Sequence, residues 1–576
     1  MNDIRRTILW VVFGFSLVLL WDQWQVHNGR QATFFPQPKP AATASAPGDA
    51  ASAAGALPAA SAPVQGQAVP SAPGTAAPPT TTAAQAPRER FTVTTDLLRL
   101  TFDTDGGSLV RTEFLQVSAE SSEGKGGTST FVLLQDQPGP TGKTYVAQSG
   151  LIGGDFPNHT TPMAVSGDRE LKPGSDELKV RFESPVVGGV KLVKTYTLKR
   201  GHYEVGVTHE VINNGGQPVA PQLYVQLVRG GFSDAGSSIM NPTSTFTGPA
   251  VFTADQKFQK VELSDIDKNK ADFQKEATAG YVAMVQHYFA SAWILPDGTR
   301  RENFVRKVDN NRYSVGMITP LAPVAPGAAA AQDARLFAGP QIEKMLEGIY
   351  PGLDLVKDYG MFTILAKPLY WLMDQIHSVL GNWGWSIMAL VLVIKIAFYW
   401  LQAKGYESMA RMKAINPRVM QLRERYKDNP QQMQQEMMRI YREEKVNPLG
   451  GCFPIMIQIP VFIALYWVLL TSVEMRNAPW IGWIHDLASP DPYYILPLVM
   501  TLTTLLQTAL NPVPPDPMQA KLMWFMPLAF SVMFFFFPAG LVLYWITNNV
   551  LSIAQQWLIN TRMGVPPQFN LPRFKS

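Results

Sequence analysis

The sequence predicts a polytopic α-helical membrane protein with six transmembrane helices and a large β-sandwich domain outside the membrane. Three observations carry this. One apolar segment opens the chain and five more crowd its last third; the basic residues between them fall on one side; and residues 88–340 between them read as short alternating strands.

Composition sets the bounds. Of 576 residues 46% are hydrophobic and only 16% charged, few charges for a soluble chain of this length. A net charge of +4, with no basic run among aromatics, leaves no footprint for specific DNA binding. The single cysteine, Cys452, excludes intramolecular disulfides and a zinc cluster.

Residues 1–25 carry Arg5 and Arg6 ahead of the apolar run Ile8–Leu20. The pattern Ala42-Thr43-Ala44 lies too far on for an ordinary cleavage site, and Trp21 and Trp24 suit an interface. An uncleaved signal anchor with a cytoplasmic amino terminus is expected. Residues 26–87, almost all Ala, Pro, Ser, Thr, Gly and Gln from Pro36 on, cannot bury a core and read as a disordered tether.

In residues 88–340, Leu98, Leu100 and Phe102 alternate before the turn Asp105-Gly106-Gly107. Lys191–Leu198 and Tyr203–Ile212 alternate on either side of Lys199–His202. Tyr203, Val205, Val207, His209 and Val211 would share one face. Strands of this kind with Gly and Asn turns predict the β-sandwich, with Tyr281–Leu295 in its core. Residues 341–381 are expected to connect, through a helix and turn and then an amphipathic helix, Phe362–Leu380, lying in the interface.

Residues 382–560 hold the apolar segments Trp385–Leu401, Cys452–Thr471, Tyr494–Ala509, Leu522–Phe537 and Gly540–Ile559. Lys and Arg gather in the loop 403–450 and the tail 561–576, whereas Ser472–Tyr493 holds only Arg476. That bias puts the loop and both termini in the cytoplasm and the β domain outside. The loop is patterned as an antiparallel helical hairpin. Met412, Ile415, Val419, Leu422 and Tyr426 follow a helical seam, and Met433, Met437, Ile440 and Glu444 continue it. Met409, Met420 and Met438 lie off the seam and, with Arg423 and Arg425, form a candidate surface for a partner or substrate.

Lys395 is the only charge in Trp385–Gln402. It lies about 15 Å along the helix from Trp385, inside a hydrocarbon layer ~30 Å thick. Burying an ammonium there costs roughly 2.5–3.5 kcal/mol, so it reads as a functional residue facing water or protein. Gln402 is about 10 Å further along, a long reach for a snorkelling side chain. The spans also hold Gln458, Thr501, Thr503, Thr504, Gln507, Ser531, Thr547, Asn548, Asn549, Ser552, Gln555 and Gln556, but no acidic residue. An unpaired charge beside amides predicts a wet cavity and argues against a proton relay. Catalytic signals are poor. Gly142-Lys143-Thr144 resembles the end of a phosphate loop, yet Gln137 stands where its first glycine belongs. No catalytic residue, cofactor or metal is expected.

The stretch Asn447-Pro448-Leu449-Gly450-Gly451-Cys452-Phe453-Pro454, continuing through Gln458 and Pro460, resembles the YidC-type membrane protein insertases. The likeness extends through Gly381-Asn382-Trp383-Gly384, Asp491-Pro492-Tyr493-Tyr494, Asp516-Pro517-Met518-Gln519 and Phe537-Pro538-Ala539-Gly540-Leu541. It also covers Tyr281–Trp293 in the outer domain. The resemblance implies the Gram-negative architecture: a five-helix insertase core, one further span, and a periplasmic β-supersandwich, set in the bacterial inner membrane. It implies a hydrophilic groove open to cytoplasm and lipid, with one positive charge that is usually arginine. Lys395 matches it, keeping the charge without the bidentate fork. Gln458, Tyr544 and Trp545 match groove positions, and Asn548 joins them as a candidate.

The implied function is insertion and folding of nascent inner-membrane proteins, alone or with the Sec translocon. The ribosome and signal recognition particle pathway would deliver substrate, and the lipid bilayer would receive it. One rival is a solute transporter or channel, which would need acidic partners for Lys395 or an inverted repeat. Another is a sugar-acting enzyme in the outer domain, which would need acid and base residues converging in a cleft.

Overall fold

The structure, a computed structural model, describes residues 89–118, 130–136, 143–230, 245–309, 311–426, 429–444, 453–511, 517–564 and 569. The expected anchor, the tether, Asn447–Cys452 and most of the tail lie outside the described residues. The chain divides into two compact units, one carrying the strands up to Asp358 and one the helices from Tyr359.

The first strands of the β unit are β1 (Arg90–Thr94), β2 (Leu98–Asp103), β3 (Ser108–Ser118), β4 (Thr130–Val132), β5 (Gln135–Asp136) and β6 (Thr144–Ile152). Next come β7 (Ala164–Gly167), β8 (Glu177–Glu183), β9 (Val190–Lys199), β10 (Glu204–Asn213), β11 (Gln222–Gly230), β12 (Gly248–Thr253) and β13 (Lys257–Lys260). The last are β14 (Glu276–Ala277), β15 (Gly280–Val285), β16 (Phe289–Ile294), β17 (Arg301–Asp309), β18 (Arg312–Pro320) and β19 (Ala329–Pro340).

A 10-stranded sheet runs β1-β2-β3-β6-β11-β18-β17-β14, with β4 on β3 and β5 on β6. A 9-stranded sheet runs β13-β12-β15-β16-β19-β10-β9-β8-β7. The sheets face each other, because side chains bond between them. Trp293 Nε1 of β16 donates to Gln226 O of β11 at 3.0 Å, and Tyr196 OH of β9 donates to Gly107 O at 2.7 Å.

The alternating face read from β10 is the inner one: Val205, Val207, His209 and Val211 are buried. Tyr281–Leu295 is a hairpin, β15 and β16, buried along both strands. Two short helices, α1 (Leu263–Asp267) and α2 (Glu343–Ile349), belong to this unit. Leu346 of α2, with Tyr350, Leu353 and Val356 after it, packs on Ala250, Phe252, Tyr281 and Ala292. Strands covered on both faces need no polar alternation, hence the continuous apolar run.

Two basic groups sit opposite each other between the sheets. Lys194 and His209 are paired across β9 and β10 and fully buried. Lys194 Nζ donates to Gly106 O and Ser149 O, each at 2.6 Å, and His209 Nε2 lies 2.8 Å from Ser149 Oγ. Burial brings the Lys194 ammonium down to about 7. Burial first, and the Lys194 charge second, push His209 down to about 3.

The helical unit contains α3 (Thr363–Leu380), α4 (Trp383–Ala397), α5 (Tyr399–Arg425), α6 (Pro430–Glu443) and α7 (Phe453–Thr471). It continues with α8 (Ile495–Leu510), α9 (Pro517–Met533) and α10 (Ala539–Arg562). Helix α3 packs a buried stripe, Ala366, Tyr370 and Met373, against neighbouring α4 and α7 and exposes Ile364, Trp371 and Val379. Gly381, at φ 66°, ends α3 with its N–H on His377 O at 2.8 Å. Asn382 caps α4 by accepting from Trp385 N–H at 3.1 Å. A Cβ on Gly384 would lie 2.2 Å from Trp480 Cδ1. Asp491 accepts from the Trp483 indole and from the N–H groups of Tyr493 and Leu496, fixing the start of α8. These contacts give physical reasons for two of the motifs in the sequence.

One expectation is corrected. Trp385–Gln402 is not a single straight helix, because the chain breaks at Phe398 and α4 meets α5 at 70°. In a straight helix Gln402 stays about 10 Å along the axis from Lys395. Across the break the two side chains meet, Lys395 Nζ donating to Gln402 Oε1 at 3.5 Å, which gives the buried ammonium an acceptor. Among the described residues no single helix is long and apolar enough to cross a membrane. The bent pair Trp383–Ala397 and Tyr399–Met412 passes together.

Helices α5 and α6 form the hairpin, clasped by Arg418 and Glu444 at 2.6 Å. Ile415 and Val419 are buried, and Met412, Leu422, Met433, Met437 and Ile440 are half-buried. Glu444, read as a seam residue, is exposed instead, because its carboxylate reaches out to Arg418.

Candidate functional site

Five helices line one cleft of about 310 Å³. Lys395 comes from the last turn of α4, and Gln402 and Tyr406 from the beginning of α5. Helix α7 gives Gln458, Ile459 and Phe462; α8 gives Thr504, Gln507 and Thr508, with Asn511 just past its end. Helix α10 gives Tyr544, Trp545, Asn548, Asn549 and Ser552. Tyr544, Asn548 and Ser552 recur every fourth residue and so stay on one helix face, as do Thr504 and Thr508 on α8.

Among the described residues the lining contains no Asp or Glu. Lys395, 8% exposed, donates from Nζ to Ser552 Oγ at 2.7 Å and to Gln402 Oε1 at 3.5 Å. Ser552 Oγ in turn donates to Asn548 O at 2.6 Å. Asn549 Nδ2 donates to Thr504 Oγ1 at 2.9 Å, tying α10 to α8, and Gln458 Nε2 donates to Tyr544 OH at 3.2 Å, tying α7 to α10. Aromatic rings gather two turns along α10 from Ser552. Phe462 meets Trp545 edge-on at 4.7 Å, and Phe534 lies 5.1 Å from the same indole. What such a lining offers is solvation: a cation, amides and hydroxyls in one region, aromatic surface in another.

The structure brings Lys395, Gln458, Tyr544, Trp545 and Asn548 together in this cleft. The hairpin residues Met409, Met420, Arg423, Arg425 and Met438 are not part of its lining. Met420 and Met438 are 54% and 45% exposed, Arg425 is exposed and Arg423 half-buried. Met409, expected on the surface, is half-buried. Sequence reasoning missed Gln402, Tyr406, Thr508 and Asn511. Thr508 was findable from the helical spacing that begins at Thr504. Three carboxylates that could together hold a cation, Glu343, Glu347 and Asp354, belong to the β unit and not to the cleft.

Two families match the chain: one described as 60Kd inner membrane protein, over residues 375–565, and one described as YidC periplasmic domain, over residues 90–372. A curated relative from Ralstonia nicotianae, named membrane protein insertase YidC, is 54% identical over 565 residues, covering 98% of each chain. One of the same name from Cupriavidus necator is 53% identical over 563 residues, again covering 98% of each. A solved structure titled as an active YidC insertase with its first transmembrane domain resolved is 18% identical. It covers 81% of this chain and 91% of its own, with a TM-score of 0.37.

Proposed function

The chain belongs to the YidC family of membrane protein insertases, and we propose that it admits nascent inner-membrane proteins to the bilayer through the cleft around Lys395. The observation that carries this reading is a buried ammonium held by a serine and a glutamine in a cleft whose described lining residues include no carboxylate. The polar flank of a nascent segment enters from the cytoplasm and trades bulk water for groove water, amides and the lysine charge, which lowers its desolvation cost. Its apolar part meets Ile459, Phe462, Tyr544 and Trp545, then partitions into lipid at about 25 cal/mol per Å². The apolar stretch Leu522–Phe537 covers only about 24 Å as a helix and thins the bilayer beside the cleft.

In this reading the bent α4, together with α7 to α10 and the amino-terminal anchor, makes six crossings. Both termini are cytoplasmic and the β unit is periplasmic. The hairpin receives substrate from the ribosome and the signal recognition particle pathway through Met420, Met438, Arg423 and Arg425, with Met409 at its base. The Sec translocon shares part of the substrate load. The work is solvation and needs no cofactor.

Photo-crosslinkers placed at Gln458 and Tyr544 test the route with a ribosome-bound nascent membrane protein. Adducts to the inserting helix from both positions are expected. Adducts from neither would mean that nascent chains take another path.

A further inference from the structure

The α4–α5 break lays Gln402 over the groove lysine. Both side chains are 8% exposed, and the ammonium divides its hydrogen bonds between two helices. The two acceptors differ in strength and in attachment. The Ser552 bond is 2.7 Å long, and the serine is itself anchored to Asn548 O on α10. The Gln402 bond, at 3.5 Å, sits at the outer limit of hydrogen bonding and comes from α5, the helix that carries the hairpin. A carboxylate adds a full negative charge to the bond and so holds an ammonium more strongly than an amide oxygen does. The described lining residues include none, and an incoming chain can bring one.

We propose that Gln402 is a positioning residue, the exchangeable partner of Lys395, which yields its place to an acidic side chain in the flank of an inserting segment. This rests on the reading of Lys395 as the charge of the insertion route.

The test uses the full-length protein in proteoliposomes and two reporters identical except for Asp or Asn in the translocated flank. The readout is the ratio of their insertion yields. Gln402→Glu supplies a permanent carboxylate to Lys395 and is expected to lower the Asp reporter roughly tenfold more than the Asn reporter. Gln402→Leu removes the competitor and should raise the Asp to Asn ratio. On a Lys395→Gln background, Gln402→Glu should leave the ratio where Lys395→Gln alone sets it, since the interaction is with that lysine. Equal losses of both reporters in Gln402→Glu mark a merely structural residue and overturn the proposal. If Gln402→Glu does not accumulate, Gln402→Leu decides, and a ratio that stays or falls overturns it. A ratio unmoved by Lys395→Gln sinks the reading of the lysine and the role of Gln402 with it. A ratio moved by Lys395→Gln but by neither Gln402 variant sinks the positioning role alone.

Discussion

Lys395 and Ser552, 157 positions apart in the chain, meet through a 2.7 Å bond from Nζ to Oγ that ties α4 to α10. The bond places a cation where five helices come together and where no carboxylate among the described lining residues answers it.

Insertion should track that charge. Lys395→Ala is expected to lower it, and Lys395→Glu to lower it further by setting an anion among amide and hydroxyl groups. Ser552→Ala deprives the buried ammonium of its shorter bond and should cost about 1–3 kcal/mol of stability. Depletion-rescue growth and protease protection of an inserted reporter measure the first two effects. Full rescue by both lysine variants would remove Lys395 from the mechanism.

The β unit has an acid limit built into its core. His209 and Lys194 titrate at about 3 and about 7 when folded, against 6.5 and 10.5 for the unconstrained groups. Both folded values are the lower ones, so the unfolded chain binds the extra protons and stability falls with pH. The share of Lys194 is lost as pH falls from 10.5 to about 7, and that of His209 as it falls from 6.5 to about 3. Hydrogen exchange on the full chain in detergent, corrected for intrinsic rates, should show protection of β9 and β10 falling between about pH 7 and pH 4. His209→Gln should flatten that decline; an unchanged slope would assign it elsewhere.

Gly384→Ala should destabilise the helical unit. The added Cβ would stand 2.2 Å from Trp480 Cδ1, and relieving that overlap costs about 1–3 kcal/mol. A lowered thermal unfolding midpoint in detergent is the expected result. An unchanged midpoint would show that the indole swings clear.

Met420→Gln with Met438→Gln should leave stability within about 0.5 kcal/mol, because both side chains are exposed. The same pair should weaken crosslinking of the hairpin to ribosome-bound nascent chains. Arg418→Ala is a useful companion, since an exposed ion pair contributes under about 1 kcal/mol. Undiminished crosslinking in the double variant would take the methionines out of substrate reception.

Much of this arrangement is legible in the residues, for identifiable reasons. Alternation in β10 and the apolar hairpin of β15 and β16 follow from which faces are covered, and periodicity records that directly. Lys395 stands out because a lone charge in an apolar run is expensive. The break at Phe398 leaves no such mark. No proline or glycine lies beside it; the neighbours are Tyr399 and Trp400, middling helix formers that mark no break. Gln402 therefore reads as the polar end of a span, although folded it is a partner of the lysine. Asn511, just past the end of α8, was hidden in the same way, past the apolar stretch by sequence yet on the cleft in space.

The position of β19 sets a schedule for the outer domain. It is the last strand in the chain, yet it lies inside its sheet between β16 and β10. In a chain exported amino end first, β7 to β10 can assemble as one fragment, and β12, β13, β15 and β16 as another. Each keeps an unpaired edge until residues 329–340 arrive. Joining them closes long loops, the slow step in folds of distant contacts. Helix α3 begins at Thr363, shortly after β19 ends at Pro340. The domain thus completes itself only as the helical unit reaches the membrane, and any pause in translation before that point prolongs the life of two open sheet edges.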